Sequence, residues 1–464
     1  MLVTTNIPRQ HADAASQVRR QQPDARERRT SLLLLSLLAV LAVLGSGLIL
    51  GPAAHAATLS ADFGTPEYPR LKLGFLHNLS VAKPTDDVLL PLQPTAWRSN
   101  DASAPAERVR ALGASHTIVL SDHWSYPAHN WRPGGPPWTQ LEGFAVWVRQ
   151  FAQRYKGRGV FYWDIWNEPD FEIFWNGTRE QFFETFAVAE HVLREELGAD
   201  ARIVGPSTTM WRLDWIEALA EFCLKRGCRF DAVSWHDLPN DLGSLPRLSA
   251  RIETTRDLLS RPRYRSLGVR EFHVNEIMGH HIQFMPAAAV GYFSELERAD
   301  ADVAIKSCWQ ESHGRVNCEG QTLGGLLDWD TGQPRLLWYT WRAYADGRSS
   351  RVRSSSRDER IAVLASRRSR RPGQAQLLLG NIGSARPAAS VRLCGLTALT
   401  PGRRRASGAT IFIERHPDLG EAVATPVLDG RPLGLRLDER GRCAVGRLPL
   451  PSLNGALVAY LQVR

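Results

Sequence analysis

Eight short apolar segments alternate with helical patterns between residues 70 and 345 of the 464-residue chain. The stretches between them repeat apolar residues at the spacing of one helix face, as in Leu141–Tyr155 and Arg179–Leu197. Such alternation predicts a parallel sheet, and eight repeats in about 275 residues predict a closed (β/α)8 barrel. Active sites of such barrels lie at the C-terminal ends of the strands. The predicted strands are Arg70–His77, Pro94–Ser99, His116–Leu120, Val160–Trp166, Arg202–Gly205, Phe230–Trp235, Val269–Val274 and Asp302–Ser307.

The fourth predicted strand, Val160–Trp166, runs directly into Asn167, Glu168 and Pro169. Its β-branched and aromatic residues are typical of a buried strand, and Pro169 prevents the strand from continuing. The carboxyl group of Glu168 is therefore expected at the mouth of the barrel, where loops present chemical groups. An isolated glutamate at such a position more often begins a solvated loop, so Glu168 alone does not define a function.

A second glutamate, Glu276, follows the seventh predicted strand. Because strands four and seven lie on opposite sides of a barrel mouth, Glu168 and Glu276 can face each other across a ligand. Retaining glycosidases require two carboxyl groups about 5–5.5 Å apart, one to attack the sugar and one to protonate the leaving oxygen. The pair therefore favours sugar chemistry. The high count of 15 tryptophans agrees with this reading, although core packing also uses tryptophan.

The motif Trp166-Asn167-Glu168-Pro169 resembles the acid/base motif of clan A glycoside hydrolases, which are TIM barrels. Within the clan, the chain from about Lys72 to Tyr344 is most similar to family 39 and its exopolysaccharide-degrading relatives. The resemblance implies a retaining hydrolase and favours cleavage within an extracellular polysaccharide. Two alternatives stay open. One is an exo-acting glycosidase like the xylosidases or iduronidases, and the other is a non-catalytic, carbohydrate-binding or export-linked barrel.

The resemblance also implies roles for individual residues. Glu168 would be the acid/base and Glu276 the nucleophile, with Asn167 binding the sugar 2-hydroxyl. The other expected substrate-binding residues are Arg98 beside the nucleophile, Trp309 as a sugar platform, His236 near the nucleophile, and His77, His123 and Trp124 on the rim.

The stretch Phe272–Met278 departs from the family pattern. Asn275 stands where the family more often has Thr or Ser, and an aromatic residue is missing after Glu276. The residues after His236 also differ from the usual aromatic pattern. These changes predict an altered sugar subsite.

Residues 347–464 do not continue the alternation of strands and helices that characterises the barrel, which we assign to residues 57–346. Short strand-like runs separated by Gly and Pro turns predict a β-sandwich accessory domain. The resemblance to family 39 suggests that residues 57–69 add a strand to it. The fold class is therefore α/β, a TIM barrel with a C-terminal β-sandwich.

Residues 1–56 carry the features of an export signal. A polar, Arg-rich segment precedes the apolar run Ser31–Leu50, and Ala54-His55-Ala56 then offers a cleavage site. The run is also long enough for an uncleaved membrane anchor. Both interpretations predict a periplasmic or extracellular catalytic part. In the second, residues 31–50 anchor the protein in the inner membrane.

The six cysteines agree with an oxidising compartment. Among 15 possible connectivities we favour pairing of sequence neighbours. These pairs are Cys223 with Cys228, Cys308 with Cys318, and Cys394 with Cys443.

Charge is unevenly distributed along the chain. Residues 57–346 carry 30 basic and 37 acidic residues, whereas residues 347–464 carry 21 basic and 8 acidic residues. The basic part could contact an anionic polysaccharide or a membrane, or simply be a solvated surface. Nucleic acid is not expected as a partner of an exported chain. The neighbours His280 and His281 have no third ligand at suitable spacing, so neither metal nor cofactor is predicted.

Overall fold

The computed structural model describes residues 58–100, 104–121, 136–368 and 371–464. Residues 1–56, for which we predict an export signal, and the predicted rim residues His123 and Trp124 lie outside these ranges. Within the ranges, no helix combines the length and the apolar character needed to cross a membrane.

Eight parallel strands form a closed barrel, as the alternating pattern predicts. The ring closes where the first barrel strand pairs with the last, Lys72 opposite Val303. The barrel strands are β2 (Lys72–Leu76), β3 (Ala96–Ser99), β4 (Ser115–Leu120), β5 (Val160–Ile165), β6 (Ile203–Thr208), β7 (Ala232–Asp237), β8 (Glu271–Ile277) and β9 (Val303–Lys306).

Helices surround the barrel and bury their apolar faces against it. The longest helix within the described ranges, Arg179–Leu197, begins with a capping box in which Thr178 and Gln181 each bind the other's backbone N–H. Its stripe of Phe182, Phe183 and Phe186 joins the large core between helices and barrel. The described helices are α1 (Asp86–Leu89), α2 (Ala106–Ala111), α3 (Leu141–Tyr155), α4 (Arg179–Leu197), α5 (Leu213–Arg226), α6 (Leu248–Leu259), α7 (Pro286–Arg298) and α8 (Leu336–Arg348).

The accessory part is a large, mostly antiparallel sheet of eleven strands that curls around its own apolar core. Its strands are β1 (Thr58–Pro66), β10 (Arg351–Ser356), β11 (Ile361–Arg367), β12 (Gln374–Asn381), β13 (Ala388–Cys394), β14 (Ala409–His416), β15 (Val427–Leu428), β16 (Leu433–Gly434), β17 (Arg436–Leu437), β18 (Ala444–Pro449) and β19 (Ala456–Val463). Their order across the sheet is β15-β14-β19-β12-β11-β10-β1-β13-β18-β17, and β16 pairs with β14. The predicted fold class, barrel plus accessory β domain, is confirmed.

The first strand of the described ranges, β1, belongs to this sheet. β1 pairs antiparallel with β10 and parallel with β13. The resemblance suggested this strand addition, although residues 58–66 lie within the range that we assigned to the barrel. The sheet also packs closely on α7, since a Cβ on Gly380 would lie 2.8 Å from the Cβ of Val290.

All six cysteines form the three predicted disulfides, Cys223–Cys228, Cys308–Cys318 and Cys394–Cys443. The second bridge closes a loop directly after β9 and thereby ties together residues at the mouth of the barrel.

Candidate active site

Irregular backbone at the strand ends aims several side chains into the mouth of the barrel. The pairing of β7 with β8 shifts register after Trp235, so that His236 lies opposite Glu276. After β5, Trp166 and Glu168 adopt left-handed conformations with φ values of 79° and 48°. Such conformations are uncommon for residues other than glycine and cluster at functional sites. Bulges at barrel rims likewise re-aim side chains.

Arg98, at the end of β3, is completely buried and connects three acceptors. Its Nε donates to Asp164 Oδ2, its Nη1 to Glu276 Oε1 and its Nη2 to Asn167 Oδ1, each at 2.8 Å. Charge-assisted bonds of this kind fix both the position and the ionised form of a carboxylate. Arg98 therefore lies beside Glu276, where the sequence predicts it.

Glu168 and Glu276 approach the same imidazole ring. His236 Nδ1 lies 2.8 Å from Glu168 Oε1, and His236 Nε2 lies 3.7 Å from Glu276 Oε1. Both glutamates are 9% exposed, so each is largely shielded from water and still reachable from the mouth. The structure thus brings the two predicted carboxylates together, with His236 between them.

The charges at this site change the pKa of two groups. Burial lowers the pKa of His236, but the carboxylates of Glu276 and Glu168 outweigh burial and raise it above the usual value. Burial raises the pKa of Glu276, and the nearby His236 and Arg98 act against that rise. The imidazolium of His236 and the guanidinium of Arg98 are therefore what favour the ionised form of Glu276.

A buried polar network lies one layer deeper in the barrel, and sequence reasoning missed most of it. Asp164 Oδ2 accepts a bond of 2.8 Å from Asn275 Nδ2, and Asp164 Oδ1 accepts one from Ser207 Oγ. Asn275 Nδ2 also donates to Ser207 Oγ at 2.8 Å. The departure at Asn275 therefore supports the carboxylate that holds Arg98. The sequence does contain one signal of this network. Asp164 lies inside the apolar strand VFYWDI, and a buried charge needs polar partners.

Asn167 directly precedes Glu168, is buried, and shares Arg98 with Glu276. Because its carbonyl oxygen accepts from Arg98, its NH₂ group is the part that can donate to a sugar hydroxyl.

His77 and Trp309 also lie where the predicted strand ends place them. Burial, together with Arg98, lowers the pKa of His77 to about 3, so this side chain is neutral. The Trp309 indole N–H donates to Met278 O and Ser307 Oγ, both at 2.8 Å. These bonds hold the half-buried ring against Met278, which follows Glu276 by two residues.

Lys306, the last residue of β9, is a second functional-site residue that the sequence did not indicate. It is completely buried, and its Nζ donates to Ser307 O at 3.0 Å. Burial lowers its pKa to about 7, while Glu276 acts in the opposite direction. A lysine ending an apolar strand is more often a snorkelling surface residue, so its burial depends on the tertiary fold.

The accessory sheet braces the loop that carries Trp309. Arg335 forms two bonds with Glu311 of this loop, of 2.8 and 3.0 Å, and donates from Nε to the carbonyl of Glu421. The Glu421 carboxylate in turn accepts from Ser312 N and Oγ at 2.8 and 2.7 Å. The loop after β9 is therefore held by both parts of the chain.

Across the described ranges, three or more His, Cys, Asp or Glu side chains nowhere converge in a geometry that could hold a metal ion. His280 and His281 were considered as metal ligands in the sequence. In the structure, His280 Nε2 lies 3.0 Å from the carbonyl oxygen of Gln310.

Comparison with known proteins points to one family. The sequence model for glycosyl hydrolases family 39 matches residues 137–256, a range that includes Asn167, Glu168 and His236 but neither Arg98 nor Glu276. A curated beta-xylosidase of Caldicellulosiruptor saccharolyticus is 34% identical over 108 residues, which are 23% of this chain. The match spans only 21% of the length of that relative.

Solved structures share the fold over most of the chain. N2152 from Neocallimastix frontalis superposes with a TM-score of 0.69 at 19% identity, covering 88% of this chain and 100% of that one. The GH39 enzyme from Xanthomonas axonopodis pv. citri superposes with a TM-score of 0.60 at 14% identity, covering 88% and 98%. The family model and the curated relative confirm the predicted resemblance to family 39 of the glycosyl hydrolases over part of the chain, and the solved structures show the shared fold.

Proposed function

We propose that this protein is a retaining glycoside hydrolase that uses Glu276 as nucleophile and Glu168 as acid/base. The observation that carries the proposal is the arrangement at the barrel mouth, where both glutamates contact His236 and only Glu276 is bound by Arg98. Two carboxylates in different environments suit two different tasks. The similarity to family 39 supports the same reaction class.

The reaction then proceeds in two displacements. In the first, a carboxylate oxygen of Glu276 bonds to the anomeric carbon while the bond to the leaving oxygen breaks, and Glu168 gives its proton to that oxygen. In the second, water attacks the glycosyl ester, Glu168 takes the proton of the water, and the bond to Glu276 breaks. The NH₂ group of Asn167 supports both steps by binding a sugar hydroxyl.

His236 takes part by holding a proton next to Glu168. His236 Nδ1 and Glu168 Oε1 lie 2.8 Å apart and can share one proton, which Glu168 passes to the leaving oxygen in the first displacement. While His236 carries that proton, its positive charge faces Glu276 and keeps the nucleophile ionised before attack. After the proton has left, His236 is neutral until Glu168 takes a proton from water in the second displacement.

Replacing His236 with asparagine is expected to move the acidic limb of the profile of kcat/KM against pH to higher pH. Without the imidazolium, the already raised pKa of Glu276 rises further, so less of the nucleophile is ionised under acidic conditions. The variant should therefore lose more activity at pH 5 than at pH 7, relative to wild type. His191→Asn on the exposed face of α4 is the matched control. An acidic limb that stays in place would show that His236 does not stabilise the Glu276 carboxylate.

The stereochemistry of the product tests the proposal as a whole. Proton NMR during hydrolysis of a panel of 4-nitrophenyl glycosides should show a first-formed hemiacetal with the anomeric configuration of the substrate, because two displacements invert twice. An inverted first product would contradict the proposed role of Glu276. No turnover across the panel and across surface polysaccharides would favour a non-catalytic, carbohydrate-binding barrel.

The size of the products distinguishes the two modes of attack. We propose cleavage within an extracellular polysaccharide, against the alternative of an exo-acting xylosidase or iduronidase-like enzyme. Internal cleavage releases oligosaccharides of mixed length from the first minutes, whereas exo action releases only the terminal sugar. Size-exclusion chromatography of early samples measures this difference.

We also propose that the protein acts in the periplasm or outside the cell. The three disulfides support this location, because such bonds persist in oxidising compartments.

A further inference from the structure

Three large apolar side chains are exposed on two neighbouring loops at the mouth of the barrel. Phe171 is 42% exposed and Ile173 59% exposed on the loop after β5, and Met210 is 59% exposed on the loop after β6. Exposed apolar groups that are close together commonly mark a binding surface. We call these three residues the apolar rim.

Hydrogen bonds join the two loops and hold the apolar rim in place. The buried carboxylate of Asp170 accepts from Thr209 N and Thr209 Oγ1, both at 2.8 Å. The backbone N–H of Glu168 donates to Ser207 O at 2.9 Å, which links the same two chain segments.

The loop that carries Phe171 is also fixed to the catalytic strand. Phe171 N donates to Glu168 O at 3.0 Å, Trp175 N donates to Phe171 O at 2.9 Å, and the indole N–H of Trp166 donates to Phe174 O at 3.0 Å. The exposure of Phe171 is thus set by a bonded turn that starts at Glu168.

The position of the apolar rim relative to Glu168 identifies what can occupy it. Under the proposed function, Glu168 protonates the leaving oxygen and therefore lies on the side of the leaving group, whereas Glu276 lies under the sugar that is attacked. Phe171 follows Glu168 by three residues, and Met210 belongs to the loop bonded to Asp170. A leaving group placed for protonation by Glu168 is therefore expected on the side of the barrel mouth that carries these two loops.

We propose that Phe171, Ile173 and Met210 bind the leaving group and select leaving groups that have a flat, apolar face. The inference rests on the proposed function, because it uses Glu168 as the acid. Two kinds of leaving group have such a face: an aromatic ring, and the C–H face of a sugar ring, which packs on aromatic side chains.

The test compares substrates that share one sugar and differ in the leaving group. The sugar is that of the 4-nitrophenyl glycoside hydrolysed fastest by the wild type. The corresponding glycosyl fluoride is the reference, since fluoride offers no apolar face. The ratio of kcat/KM for the 4-nitrophenyl glycoside to that for the fluoride should fall roughly 5- to 20-fold in Phe171→Ala. Ile173→Thr and Met210→Thr should change the ratio in the same direction.

A disaccharide of the same sugar distinguishes the two leaving groups. A parallel loss for the disaccharide assigns the apolar rim to a sugar face, and a loss confined to the 4-nitrophenyl glycoside assigns it to an aromatic ring; each supports the inference. Phe412→Ala is the matched control, because Phe412 is 37% exposed on the accessory sheet. Thermal unfolding of each variant confirms that it folds.

Three results would overturn the inference. The ratio in Phe171→Ala could equal that of the wild type, or fall no more than in Phe412→Ala. Alternatively, Phe171→Ala could leave the ratio unchanged and convert a dimer to a monomer in sedimentation, which would make the apolar rim an interface between copies. If the wild type hydrolyses no glycoside of the panel, the proposed function fails first, and the leaving-group site fails with it.

Discussion

Glu276→Gln is expected to reduce kcat by on the order of 10⁴-fold or more, with little effect on folding. The amide has nearly the same shape as the carboxylate and can still accept the 2.8 Å bond from Arg98, but it cannot form the glycosyl ester. Initial rates with the best 4-nitrophenyl glycoside measure the loss. Glu253→Gln, an exposed glutamate on α6, is the control and should retain wild-type rates.

Trapping of the covalent intermediate gives an independent check on Glu276. A 2-fluoro sugar slows both displacements, so the mass of the wild-type protein should increase by one glycosyl unit, located on the peptide that contains Glu276. Glu276→Gln should show no such increase. Activity of Glu276→Gln within tenfold of wild type, or a label on another residue, would mean that Glu276 is not the nucleophile.

Arg98→Met is expected to lower the free energy of unfolding by about 3–5 kcal/mol, the usual cost of removing one partner from a buried ion pair. The variant leaves Asp164 completely buried and Glu276 nearly so, both without the guanidinium that binds them. Urea unfolding at pH 7 measures the change. Arg353→Gln is the control, because Arg353 is exposed and pairs with Asp62 at 3.4 Å, a contact worth less than about 1 kcal/mol.

The effect of Arg98→Met should also depend on pH. Arg98 acts against the rise in the pKa of Glu276 that burial causes, so in Arg98→Met that pKa rises further and protonation of Glu276 on acidification relieves part of the cost of burying it. The difference in stability between variant and wild type should therefore shrink as pH falls toward 4. Equal stability of Arg98→Met and Arg353→Gln at pH 7 would contradict the role of Arg98 as the central cation.

The barrel and the position of its polar strand ends were predictable because both depend on local pattern. Apolar runs that end in polar residues identified the strands, and a parallel barrel brings those ends to one face. This pattern placed Glu168 and Glu276 at the strand ends, the resemblance singled out Arg98, Asn167 and His236, and the structure brings all five together. Their catalytic roles come from the resemblance and stay predictions until the variants are measured.

Other parts of the site depend on information that a linear pattern does not contain. Asp164 and Lys306 are buried only because partner strands and loops cover them. The position of His236 between both glutamates depends on a register shift after Trp235, which strand periodicity does not reveal. In the accessory sheet, β10 has the polar sequence RVRSSS, so an apolar strand pattern does not reveal it.

The sheet position of β1 has a consequence for the order in which the molecule assembles. Ser60 and Ser355 hydrogen-bond across a separation of 295 positions, so β1 is synthesised before the barrel but can pair with β10 only after the whole barrel has been made. Pairings between such distant positions form slowly, and an unpaired strand edge invites association with other chains. We therefore expect the pairing of β1 with the accessory sheet to be the last step of folding. Misassembly should be most frequent at this step.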